Sequence, residues 1–329
     1  MRFATLSIVC SLTTAALAQV SGPVMGLVPD RGTIRAMRGI PAAGNVDLPM
    51  DAGSALSLIE ASNQNFALAT SDAGQVLLIS LSTDGASVSS APVTGATANP
   101  DKIFMSPNAT AAALFYAADQ HVEVLAGLPQ APAIRKIDLS TLAAGTLTAL
   151  AVSDDGQALA VAGTSSVTYL GTSRIALPVA GSPQAFAFFH GSKDVAVITD
   201  LEVVTFADPA GAATRTPVWS KPSGSGPNAQ STVGFALSPD NSHLTITGNL
   251  GGVESFDLSN NSATYVDCGC TPTALAHLGG SVYRLTGVES GSVKLYDASA
   301  SEILFVPAAA VRVHRPVIRG AETTGEETK

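Results

Sequence analysis

Four short apolar runs, separated by Ser, Asp, Asn, Gly and Pro, recur as a unit about every 44 residues along this 329-residue chain. The clearest copy follows Thr148. Leu150-Ala151-Val152 runs into the turn Ser153-Asp154-Asp155-Gly156, and Ala158-Leu159-Ala160-Val161 runs back. Ser166–Leu170 and Arg174–Val179 then supply a third and a fourth run. The cycle restarts at Phe235-Ala236-Leu237 with the turn Ser238-Pro239-Asp240-Asn241, and an earlier copy has Ile103-Phe104-Met105 before Ser106-Pro107-Asn108. Weaker copies begin near Ala55, Ala185 and Thr273. No window carries the i, i+3, i+4, i+7 stripe of an amphipathic helix. A β-helix has a much shorter period, and a tandem sandwich needs about 100 residues per unit. Four strands in about 44 residues fit one blade of a β-propeller, so the expected fold is all-β.

The turns resemble one another for a physical reason. A tight connection favours Pro to preset φ, Asp or Asn to bond its own backbone, and Gly to take positive φ. First turns fall near Ala61, Ser106, Ser153, His190, Ser238 and Gly279. Prolines at Asn99-Pro100, Ser182-Pro183 and Thr271-Pro272 stand where first strands begin, the position that tolerates a missing N–H. Six cycles fill about residues 54–306. Upstream, Val24–Val28 and Thr33–Met37 form a hairpin joined by Pro29-Asp30-Arg31-Gly32; downstream, Val311–His314 reads as one more strand. An open sheet edge invites aggregation, so a seventh four-stranded blade built from both chain ends is expected. A six-bladed ring with an accessory hairpin is the alternative.

The order of proline, apolar strand, Ser-Pro-Asp or Ser-Asp-Asp-Gly turn, second strand and then Gly252-Val253-Glu254-Ser255-Phe256-Asp257-Leu258 resembles the YVTN-type repeat of secreted bacterial β-propellers, within the lactonase-like group. The resemblance covers about residues 54–306. The strand that names the repeat has its nearest counterpart in Leu244–Asn249. The resemblance implies a propeller and, more weakly, hydrolysis of a small ester or lactone, because one fold hosts many functions.

The first eighteen residues read as an address. Arg2 is the only charge before Asp30, Phe3–Leu17 is apolar with Ser and Thr, and Ala16-Leu17-Ala18 precedes Gln19. This is the form of a secretory signal peptide, too short and punctuated for a spanning helix. Residues 19–319 are then the propeller and 320–329 a disordered acidic tail. The expected location is periplasmic or extracellular, with no stable membrane insertion after cleavage. A net charge of -9 leaves nothing to neutralise nucleic-acid phosphates. At 46% hydrophobic residues the chain is too apolar for disorder, and three cysteines are too few for a disulfide scaffold.

Candidate chemistry is sparse. The five histidines, His121, His190, His243, His277 and His314, are too far apart for a helical metal pair. His190 and His243 are placed alike, just after first strands, where surface turns account for both. Asp154-Asp155-Gly156 lacks the alternating ligands of a calcium loop; solvated turn residues explain it. Asp257 and Asp297 close third strands and should cap turns. Cys268-Gly269-Cys270 admits a small disulfide, a thiol pair or a metal contribution, with a structural corner between blades as the plainer reading. Gly224-Ser225-Gly226 is a broken nucleophile elbow in a flexible loop. That loop is the candidate binding segment, with Trp219, Lys221, Ser223, Ser225 and Asn228, although Trp219 also suits inter-blade packing. No phosphate or dinucleotide motif occurs, and no cofactor, metal or catalytic set is expected.

The leading expectation is therefore an exported, non-catalytic propeller that binds another protein or an envelope component. The alternative, which rests on the resemblance, is a lactonase-like hydrolase; it requires charged and histidine side chains at the central channel, with His190, Arg284 and Glu202 as candidates by position. A third reading centres redox or metal handling on Cys268 and Cys270. Apolar filling of the channel favours a scaffold, and clustered charge favours an enzyme.

Overall fold

The computed structural model describes residues 22–142, 147–164, 166–220, 232–288 and 291–309. These form seven antiparallel sheets, each a meander whose strands pair in chain order. Blades 2 to 7 span 56–92, 102–138, 149–177, 183–220, 232–267 and 276–307, and each has four strands. The first strands of the seven sheets contact one another in sequence, and that of blade 7 (Ala276–Gly279) closes on that of blade 1 (Val24–Asp30). The fold is a seven-bladed β-propeller, in which ring closure leaves no first strand without neighbours on both sides.

From the sequence, blade 1 is expected to draw its strands from both chain ends. Among the described residues it has three, spanning 24–46, all from the N-terminal side. The other chain end meets its outer edge at a parallel bridge between Val46 and Ala308, where Ala309 N–H donates to Val46 O and Arg35 Nη1 donates to Ala309 O at 3.1 Å. The Val311–His314 segment and the stretches expected to be a leader (1–18) and a tail (320–329) lie outside the described residues. The first hairpin is also tighter than expected. Pro29 and Asp30 pair with Ile34 and Thr33, leaving a two-residue turn of Arg31 (φ 38°) and Gly32 (φ 85°). Positive φ at both positions gives the turn the twist that matches its strands.

The core is divided into seven wedges, one between each pair of neighbouring blades. Second strands have both faces covered by adjacent sheets, so Phe66–Ser71, Ala111–Tyr116, Leu159–Ala162 and Val195–Thr199 are buried throughout. That is why they read as unbroken apolar runs rather than alternating ones. Fourth strands lie at the rim; Val88–Pro92 and Ser262–Asp267 are largely exposed. Small residues permit the close approach near the axis. A Cβ on Gly234 would lie 2.2 Å from Leu275 Cβ and 2.6 Å from its backbone N.

The repeated Ser turn has a shared bonding pattern. The Oγ of Ser106, Ser153 and Ser238 accepts the N–H five residues on, from Ala111, Ala158 and His243. In two of these turns the same hydroxyl donates to the Asp two residues on, Asp155 or Asp240. Asp257 and Asp297 cap the turns after their strands through Ser259 and Ser299, as expected. Among the described residues no helix is long and apolar enough to cross a membrane.

Candidate functional site

First strands end in turns that converge on the propeller axis, and between them lies a cavity of about 170 Å³. Phe186, Phe188, Phe235, Leu237, Val152 and Met105 supply apolar wall, and Glu60, Asn63, His190 and His277 supply polar groups. Glu60 is the penultimate residue of the first strand of blade 2 (Leu56–Ala61). It keeps some contact with the cavity but sits deep in the ring. Loss of hydration there raises its carboxyl from the usual 4.5 to about 7, against the opposing pull of the Arg284 guanidinium. At neutral pH the group thus exchanges its proton readily.

A belt of polar side chains ties the turns together around this cavity. Asn63 Nδ2 donates to Pro107 O at 2.9 Å and to His277 Nδ1 at 3.1 Å. Pro107 O can only accept, which fixes the amide orientation. His277 therefore accepts at Nδ1 and carries its proton on Nε2, which donates to Gly280 O at 2.9 Å. Burial holds the His277 imidazole below its usual basicity; the Gly280 bond opposes this and the neighbouring His190 adds to it. Asn63 Oδ1 is buried without a hydrogen-bond partner.

On the opposite side, Asp154 accepts from Asn108 N (2.7 Å), Asn108 Nδ2 (2.8 Å) and Gly191 N (2.8 Å), joining blades 3, 4 and 5. With its amide nitrogen committed to that carboxylate, Asn108 turns Oδ1 to His190 Nδ1 at 2.9 Å, and His190 donates. Asn241 of blade 6 brackets the His190 backbone, accepting from its N–H at 2.8 Å and donating to its carbonyl at 3.1 Å. The rings of His190 and His277 meet edge to face at 6.4 Å between centroids. His277 is thus held at both nitrogens and His190 through Nδ1, with its Nε2 3.3 Å from Leu237 O, and the Glu60 carboxyl faces the same cavity.

The sequence candidates divide accordingly. His190 is at the axis, and Arg284 of blade 7 acts on the cavity through its charge on Glu60. Glu202 is not at the axis. It lies on the third strand of blade 5 (Glu202–Ala207), buried, where it accepts from Ala180 N at 2.8 Å and pairs with Arg215. His243, expected to match His190, is exposed at the start of a second strand; Asn241 takes the axial role instead. Asp154 is a latch between blades rather than a solvated turn residue, whereas Asp155 does cap its own turn. Glu60 and His277 were not singled out from the sequence. Their signal was position, since each is a polar residue within an innermost strand close to its first turn.

Of the candidate binding loop, Lys221, Ser223, Ser225 and Asn228 lie outside the described residues. Trp219 is half-buried against the wedge between blades 5 and 6. The loop leaves Ser220 and rejoins at Thr232, the end of its strand remote from the axial turns. Cys268 and Cys270 are joined by a disulfide of 2.04 Å. Among the described residues no cluster of three or more His, Cys, Asp or Glu is arranged to hold a metal ion.

No protein-family model matches the chain, and no curated protein matches it. Solved structures do resemble it. A "putative 6-phosphogluconolactonase" from Bacteroides uniformis superposes with a TM-score of 0.57 at 15% identity, over 85% of this chain and 94% of its own. A protein of the same description from Bacteroides fragilis gives 0.57 at 16%, over 85% and 93%. A functionally unknown protein from Desulfotomaculum acetoxidans gives 0.56 at 12%, over 86% and 99%. Identities this low make the likeness one of fold, a propeller shared with proteins named as lactonases.

Proposed function

We propose that this protein is a lactonase-like hydrolase of a small lactone or ester, with the axial cavity as its site and Glu60 as the general base. The observation that carries this reading is the Glu60 carboxyl, raised to about 7 against apolar walls with the Arg284 charge acting on it. A base that ionises near the working pH combines an available unprotonated form with useful basicity. In the proposed reaction Glu60 takes a proton from water as the oxygen adds to the substrate carbonyl. The ester C–O bond then breaks, and the leaving alkoxide recovers the proton from Glu60, giving a hydroxy acid from a lactone. His277, with both ring nitrogens engaged, and His190, anchored by Asn108 and Asn241, shape and orient the wall.

One carboxyl and two histidines in an otherwise largely apolar lining support this reading over the non-catalytic scaffold. The proposal includes export by residues 1–18 to the periplasm or exterior, and kinship with YVTN-type propellers. The test is a screen of lactones and aryl esters with the full chain and with Glu60→Gln. Hydrolysis that rises with pH through about 7 and drops by roughly 10²- to 10⁴-fold in the variant is expected. No turnover of any substrate, or equal turnover by the variant, overturns it.

A further inference from the structure

We propose that Cys268–Cys270 is a thiol–disulfide exchange site assisted by Lys294, not a structural staple. A staple acts chiefly by removing loop freedom from the unfolded chain, and that effect grows with the loop. Here the cysteines are only two positions apart, so the bridge removes very little. Nor is it needed to hold the corner. Cys268 N–H donates to Gly251 O at 2.8 Å, and Gly269 N–H to Asp267 Oδ1 at 2.8 Å. Lys294 reaches across from blade 7, donating from Nζ to Cys268 O at 3.0 Å and Gly269 O at 2.7 Å. The inter-blade contact expected of this pair is thus made by backbone and lysine.

The same contacts make the pair reactive. Thiolates form more readily beside a lysine ammonium, and this one is pinned against the loop by two carbonyls and the Phe305 ring, 4.7 Å from its centroid. Asp267, the acid at the loop, is committed to the Gly269 N–H. The two sulfurs differ in access. Cys268 is 4% exposed within the wedge between blades 6 and 7, whereas Cys270 is partly open. An incoming thiolate therefore attacks Cys270 Sγ, forming a mixed disulfide and expelling Cys268 as a thiolate on the loop whose Cys268 and Gly269 carbonyls hold the Lys294 ammonium. A second thiol from the same reductant then displaces Cys270. The protein gains two electrons and two protons and becomes a dithiol, and two molecules of small thiol become one disulfide. The chemical partner is a low-molecular-weight thiol or a dithiol on another protein.

The experiment uses the full chain with Cys10→Ser, so that only this pair is counted. The oxidised protein is equilibrated in graded mixtures of reduced and oxidised glutathione, quenched with iodoacetamide and weighed, with circular dichroism recorded in parallel. The expected result is two alkylations at ratios where the β-sheet spectrum is native. Cys268→Ser should trap a glutathione adduct on Cys270, and Cys270→Ser should trap little on Cys268. Lys294→Gln should move the midpoint roughly three- to tenfold toward more reducing mixtures, and Lys294→Arg should restore it. A bridge that persists until the fold is lost, equal trapping on both single variants, or a midpoint indifferent to the charge at position 294 overturns the proposal.

Discussion

Replacing Glu60 by Gln should make the protein more stable at pH 8 and leave it nearly unchanged at pH 4. Two effects oppose each other at this carboxyl. Burial disfavours its charge, and the Arg284 guanidinium favours it; burial is the larger. The folded group therefore ionises at about 7, above the 4.5 of an unperturbed glutamate. Between those values the folded chain holds a proton that the unfolded chain has released, so stability falls as pH rises and levels off above about 7. The shift corresponds to about 3 kcal/mol at most, because the carboxyl keeps some contact with water in the cavity. Glutamine carries no charge to desolvate, so the advantage of the variant should open across this window and reach roughly 5 °C in midpoint at pH 8. Thermal unfolding of both proteins from pH 4 to 8 measures it. If Glu60 and Arg284 instead formed a net stabilising ion pair, the variant would lose stability at pH 8. That outcome, or a difference independent of pH, refutes the reasoning. Arg284→Gln gives a companion check, since it should raise the ionisation of Glu60 further and move the midpoint of any activity profile upward.

Gly234→Ala should cost about 3 kcal/mol or prevent folding, because its Cβ meets the backbone of Leu275 in the neighbouring blade and neither innermost strand can yield alone; a denaturation midpoint equal to that of the parent would contradict this. Asn63→Ala removes the donor to both Pro107 O and His277 Nδ1 and should destabilise by about 1–2 kcal/mol. It should also change the proton resonances of His277, which NMR can follow. Replacing both Cys268 and Cys270 by Ser should lower stability by only about 1.5 kcal/mol, the loop-entropy value for so short a ring, in chemical denaturation of the oxidised parent and the variant.

The architecture was legible because it rests on local chemistry repeated many times. Ser153 and Ser238 each need an oxygen acceptor two residues on and an amide five residues on, so each copy of the turn carries nearly the same letters. The second strands need both faces apolar, and Ala111–Tyr116 shows this directly. The edge of blade 1 was not legible in this way, because contacts between chain ends set it. The pairing of Ala308 with Val46 joins residues far apart in sequence, and no local motif reports it.

The axial site was only half legible, and the reason is geometric. A propeller brings one or two residues per blade to its axis, so the site has no spacing along the chain, and only the register of each innermost strand decides which residue arrives. His190, Arg284 and Glu202 were alike candidates by position, and the three have different fates. Glu202 lies on a third strand and answers to Arg215 and Ala180 N–H, a local arrangement that satisfies the charge. Glu60 lies on a first strand, one residue before its turn, where the only opposing charge acting on it comes from a blade on the other side of blade 1. Composition cannot separate these two glutamates. Their difference is the number of partners within the same blade, and this is the property that makes one structural and leaves the other able to exchange a proton. The two aspartates of one turn show where such partners come from. Asp155 caps its own turn and also pairs with Lys193 of blade 5 at 3.1 Å, while Asp154 takes its donors from blades 3 and 5. In a ring of repeated sheets, a charge that its own turn leaves unanswered is either taken up by neighbouring blades, as at Asp154, or left able to exchange a proton, as at Glu60.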